Sequence, residues 1–272
     1  MANNKTPYTK ELERIKDRER HFLKKHRQRD TASIDTVLAG KVKPGTKDQL
    51  SFTFNDSFKI MLFSGTEGIE FTINKGSREA RWEDKLNHAE IFRDSDSIRA
   101  LSNSSIIDNA LNIYGAAATG ITMGILGKAD VAMFVTQLIR NIYQLALDFG
   151  YTYDSDEEKY FILLLIQGGI SYGEMMWEIN SKVNDFIHNA KIPKGTSVDN
   201  QIDITSDALA HELLYMKFIQ KIPLIGAIGG AINAYFMKLI LEYADIMYKK
   251  RMLEDNSPSL NSDRYNPVHI VK

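Results

Sequence analysis

Cysteine is absent from all 272 residues, which excludes a disulfide framework, a thiolate metal site and a thiol nucleophile, and suits a reducing compartment. An excess of one charge is also absent. The 34 basic and 35 acidic side chains leave a net charge of -1, so the chain has no overall field to draw in nucleic acid, and no such partner is expected. Long apolar runs are missing as well. The stretches 115–127, 160–173 and 222–237 contain no charged residue, yet each falls short of the ~18–20 residues that span a bilayer as helix. Buried core helices, re-entrant hairpins or interfacial elements fit that length better than a simple transmembrane span. The polar first thirty residues lack the apolar core of about 7–15 residues of a signal peptide, so a cytosolic start is expected. What is present is 43% hydrophobic and 25% charged, enough to exclude wholesale disorder and to build one domain with tails.

The order of elements follows from periodicity. Between Tyr8 and Arg29 the charges Glu11, Arg14, Arg18 and Lys25 recur at helical spacing, which predicts a solvated helix docked by Ile15, Phe22 and Leu23, or a basic arm for anionic lipid or RNA. From Leu50 to Gly76 two periods compete. Leu50, Phe52 and Phe54 alternate, as do Ile69, Phe71 and Ile73, whereas Phe54, Phe58, Met61 and Leu62 form a helical stripe that Asp48 could cap. Beyond Ser104 the pattern is helical: one apolar segment to Gly127, and a second after Asp130, placed as its N-cap, that stops at Gly150. A third opens on Ser155 and Glu158 at capping-box spacing and runs on to Ala190. A loop over 191–200 leads to a fourth helix capped by Ser206, and Pro223 starts a fifth that ends near Leu253. The closing residues, with Pro258 and Pro267 amid Ser, Asn and Asp, read as a flexible tail.

Three small-xxx-small pairs, Gly120/Gly124, Gly169/Gly173 and Gly226/Gly230, sit inside apolar stretches. Glycine in a helix interior costs about 1 kcal/mol relative to alanine, so these positions predict close backbone contacts between helices, in water or in lipid. No catalytic motif survives inspection. His211-Glu212 begins like a zinc-protease helix but meets Tyr215 where the second histidine belongs, and Gly127-Lys128 lacks both the first glycine and the hydroxyl of a phosphate loop. The six histidines form no i, i+3 or i+4 pair. No metal, cofactor or catalytic residue is therefore assigned. One polar track remains: Thr136, Arg140, Gln144 and Asp148 recur every four residues, either as a solvated stripe or as a buried seam in which Arg140 needs Asp148 or Glu158 beside it.

The ordered pieces LGKAD (126–130), FGY (149–151), DEEKYFILLLIQ (156–167), IPLIGAIGGAINAYF (222–236) and YKKRML (248–253) resemble the EcsC family of bacterial proteins, over roughly Thr31 to Leu253. The chain departs from the family pattern at Val131-Ala132, commonly Pro-Leu, and at Lys159, usually Arg. The resemblance implies an all-α fold: a single compact multi-helix domain with Gly-rich apolar helical hairpins over 31–253, preceded by a polar basic helix or arm over 1–30 and followed by the tail over 254–272. It favours helix around residues 58–65, leaving Ile69 to Ile73 open to an extended form. Asp130, Glu158, Gly226, Gly230 and Asn233 fall within the ordered pieces and Arg140 on the polar track, and together they are the candidate functional or family-motif positions. The resemblance also implies a domain in the cytoplasm or on the inner membrane face whose activity is not established; with the Gly-rich apolar helices, the family's setting beside ABC-transporter genes leads to the reading of a non-enzymatic module that associates with a membrane surface or a membrane protein. The alternative is an enzyme or small-ligand binder with a polar pocket along the Thr136 to Asp148 helix.

Overall fold

A computed structural model describes residues 5–27, 42–104, 106, 128–218 and 228–261; they form eleven α-helices and one π-helical turn, with no strand among them. The first, α1 (Pro7–Lys25), starts where Thr6 accepts the N–H of Thr9 and Pro7 needs no partner for its nitrogen. Ile15, Phe22 and Leu23 dock it as expected. Glu11 is a correction to the solvated reading: it and Glu19 share the buried stripe, because this face meets other helices rather than water.

The competition over residues 50–76 resolves to helix. α2 (Thr46–Lys59) runs into a π turn over Ile60–Ser64, and α3 (Thr66–Ile73) follows. The extended option for Ile69 to Ile73 fails because both isoleucines, four residues apart on one helical face, reach the core. Asp48 lies in the first turn of α2 rather than capping it, the N-cap being Gly45 at φ 78°. Next come α4 (Lys75–Phe92) and α5 (Ser95–Leu101), the latter capped by Asp94.

α6 (Lys128–Asp148) already includes Asp130 in its first turn, so Asp130 is not the N-cap; a carboxylate there still suits the positive end of the helix dipole. The stop at Gly150 holds: its φ is 81°, and an added Cβ would lie 2.2 Å from the indole nitrogen of Trp82. The third expected helix is two helices, α7 (Asp156–Ile170) and α8 (Gly173–Asn189). The chain breaks at Ser171-Tyr172, with Gly173 at φ 61° donating its N–H to the carbonyl of His26 at 2.9 Å. α9 (Val198–Phe218) starts eight residues before Ser206, since Ser197 supplies the capping oxygen to the N–H of Asn200 at 3.2 Å. α10 (Ile228–Asp255) and α11 (Ser257–Asn261) complete the described chain. The expected segment over 107–127, with Gly120 and Gly124, and the start at Pro223 with Gly226, lie outside the described residues.

α10 is the central element, packed against α1, α6 and α7. α1 and α7 run antiparallel to it: Phe22 meets Tyr243 while the Tyr8 hydroxyl reaches the Leu253 carbonyl, and Gly169 faces Ile240 while Glu158 faces Arg251. α8 runs the same way as α10, with Asn180 beside Tyr243 and Asn184 beside Lys250. Close backbone approach comes from Gly168 and Gly169. A Cβ on Gly169 would lie 2.5 Å from the Ile240 Cα, and one on Gly168 2.3 Å from the Tyr243 ring. Gly173, the expected partner of Gly169, has nothing within 4 Å of its would-be Cβ and serves the turn instead.

Candidate functional site

The run Lys249-Lys250-Arg251 places three cations about 100° apart around one helix. On a helix at the centre of the body all three are buried, and each finds a carboxylate. Lys249 Nζ donates to Asp245 Oδ2 at 2.6 Å, one turn back, and Arg18 of α1 approaches the same oxygen at 3.3 Å. Lys250 Nζ donates to Glu19 Oε2 of α1 at 2.6 Å and to Asn184 Oδ1 of α8 at 2.5 Å. Arg251 grips Glu158 of α7 through both terminal guanidinium nitrogens at 2.6 and 2.9 Å, and lies 4.0 Å over the Tyr151 ring.

Burial and pairing compete for each group. At Glu19 burial opposes the charge, but the bond and charge of Lys250 and the amides of Asn184 and Asn180 outweigh it, holding the carboxyl below its usual range. At Lys249 burial prevails over Asp245 and pushes the ammonium down. At Arg251 burial again opposes the charge, and Glu158 overcomes it, raising the guanidinium further. The network therefore ties α1, α7 and α8 to α10 with its charges directed inward.

Of the candidate positions among the described residues, Glu158 is the one brought into this network. Ser155 caps α7 as expected, taking the Glu158 N–H at 3.2 Å, but the Glu158 carboxylate turns to Arg251 rather than back to the cap. Arg140 meets neither expected carboxylate: its Nη2 donates to the Thr72 carbonyl at 3.4 Å, while Asp148 is held by Arg78 at 2.6 Å. The Thr136 to Asp148 track is half-exposed at Thr136 and Arg140 and buried at Asp148, so it is neither a solvated stripe nor a continuous seam. Asn233 is buried on α10, Gly230 belongs to its first turn, and Asp130 stands at the start of α6. Lys159 lies 4.9 Å over the Phe63 ring. Lys249, Lys250, Glu19 and Asp245 were missed as partners. The available signal was three successive cations between Tyr248 and Met252, with Asp245 four residues before Lys249. Among the described residues no group of three His, Asp or Glu side chains could hold a metal.

A sequence model described as the EcsC protein family matches residues 9–253, from inside α1 to the end of the Tyr248–Leu253 run. The chain belongs to the EcsC protein family. Both ends of the match fall on helices joined by the Glu19–Lys250 pair, so in this EcsC chain α1 packs with the matched body. No curated protein and no solved structure matches the chain.

The outer surface of this EcsC protein differs from its interior. No helix among the described residues is long and apolar enough to cross a membrane. Several large apolar side chains nevertheless face outward: Phe52, Ile60, Phe63 and Phe92 over α2 to α4, and Met175 and Trp177 on the first turns of α8. Near the latter pair Tyr235 of α10 is exposed, with its hydroxyl 3.3 Å from that of Tyr172.

Proposed function

We propose that this EcsC protein is a non-enzymatic helical module that associates peripherally with a membrane or a membrane-transport partner. The observation that carries the reading is the contrast between an interior whose Lys249, Lys250 and Arg251 are used up in pairs and a surface that leaves Trp177, about half exposed, and Met175 in solvent. Single exposed apolar residues are ordinary, but tryptophan and tyrosine together favour the membrane–water boundary, where an amphipathic ring keeps one side apolar and one wet. No helix among the described residues is both long and apolar enough to cross a membrane, which supports attachment at the surface. The basic excess of the first thirty residues supplies attraction to an anionic leaflet.

Fractionation of the native protein tests the reading. The expected result is sedimentation with membranes at low salt and release by high salt without detergent. A protein found wholly in the supernatant at low salt refutes peripheral association.

A further inference from the structure

We propose that the end of the body where α1, α8 and α10 meet is the docking face, and that its partner is an anionic phospholipid bilayer; the inference rests on the peripheral-association reading and specifies it. Three contacts hold these elements together here. The Gly173 N–H donates to the His26 carbonyl at 2.9 Å, the His26 ring lies 5.0 Å from that of Tyr172, and the Tyr172 and Tyr235 hydroxyls are 3.3 Å apart. The last turn of α1, the first turns of α8 and the early part of α10 thus share one end.

That end combines two kinds of side chain. Lys24 and Lys25 of α1 and Arg27 just beyond it are exposed, and Lys238 is exposed on α10 one turn after Tyr235. Met175 and Trp177 of α8 and Tyr235 of α10 stand out among them with relative exposures of 50%, 51% and 39%. Among the described residues opposing carboxylates are few: Glu178 is neutralised by Lys182 at 2.7 Å, Glu242 is half-buried, and Glu174 is exposed. The first ten residues of α10, 228–237, carry no charge at all.

Charge complementarity selects the occupant. The cations, three at the end of α1 and one on α10, are carried on long, exposed side chains. A bilayer offers diffuse negative charge that needs no matching positions, and below it an interface suited to indole and phenol rings. Each basic residue near such a surface strengthens binding about fivefold at moderate salt, and screening removes that gain at high salt.

The chain has two tryptophans, and Trp82 is packed against Gly150, so Trp82→Phe leaves Trp177 as the only indole. The probe is vesicles of phosphatidylcholine and phosphatidylglycerol in equal amounts, with pure phosphatidylcholine for comparison. The expected results are flotation with the mixed vesicles at low salt, a blue shift of Trp177 emission, and its quenching by brominated acyl chains. Lys24→Gln/Lys25→Gln/Arg27→Gln should weaken binding on the order of a hundredfold. Lys59→Gln/Lys191→Gln/Lys194→Gln, with the same charge change elsewhere on the surface, should leave binding nearly unchanged, and circular dichroism should show both variants folded. Flotation with unshifted Trp177 emission and equal binding of both triple variants overturns this face while leaving membrane association standing. Absence of flotation overturns the lipid partner; salt-sensitive sedimentation of the native protein with cell membranes would then indicate a membrane protein.

Discussion

Arg251 illustrates how a single residue acts here through what it neutralises. Its guanidinium and the Glu158 carboxylate are both nearly out of solvent, and each compensates the other's desolvation. Arg251→Met should therefore lower unfolding free energy by about 3–5 kcal/mol in urea denaturation, because Glu158 is left buried and unpaired. The double variant Arg251→Met/Glu158→Leu should recover most of that loss, and a double as unstable as the sum of the singles would show that the pair does not act as a unit. His26 provides a second case. Burial lowers its pKa, aided by Lys25 and opposed by the Phe22 carbonyl 2.8 Å from Nδ1 and by Glu242. The unfolded chain then takes up the proton first, so stability is fully present above about pH 6.5 and falls as pH drops through that value toward the lower folded-state pKa. His26→Phe, which keeps the ring stacked on Phe22, should flatten this slope between urea midpoints measured on either side of about pH 6.5. An unchanged slope would assign it to other groups.

Among the elements, the contact between α7 and α10 depends on side chains that are absent. An alanine at Gly169 would push its Cβ into the Ile240 backbone, which cannot rotate away as a side chain can. Gly169→Ala should cost about 1–3 kcal/mol despite alanine's better helix propensity. Gly76→Ala, exposed in the first turn of α4 with nothing within 4 Å of the new Cβ, should be neutral or stabilise by up to about 1 kcal/mol. Thermal melts of the two variants read opposite signs if the backbone approach is the reason for the glycine. The α7–α8 break also belongs to this scale. No proline marks it, and Gly173 alone would have been tolerable inside one long helix; the turn is made where the His26 carbonyl accepts its N–H.

For the whole molecule, the placement of α10 at the centre turns an ordinary-looking basic run into the tie between four helices. Its carboxylate partners, Glu19 and Glu158, lie 231 and 93 residues away in sequence. The same arrangement leaves the α1, α8 and α10 end as a place where exposed cations stand with Trp177 and Tyr235, so the inner and outer roles of charge are separated in space.

The sequence by itself determined the helical class, the docking stripe of α1, the cap at Ser155 and the stop at Gly150, because each depends on neighbours within a few residues: a 3.6-residue period, an oxygen within reach of an N–H, a positive φ. It also carried the family resemblance that the match over 9–253 bears out. Only the tertiary structure decided that Ser206 lies mid-helix, that Asp148 goes to Arg78 and Glu158 to Arg251, and that Gly168 and Gly169 rather than Gly169 and Gly173 form the close contact. These depend on which surfaces meet, and the desolvation that makes a buried charge choose its partner arises only once the helices have come together.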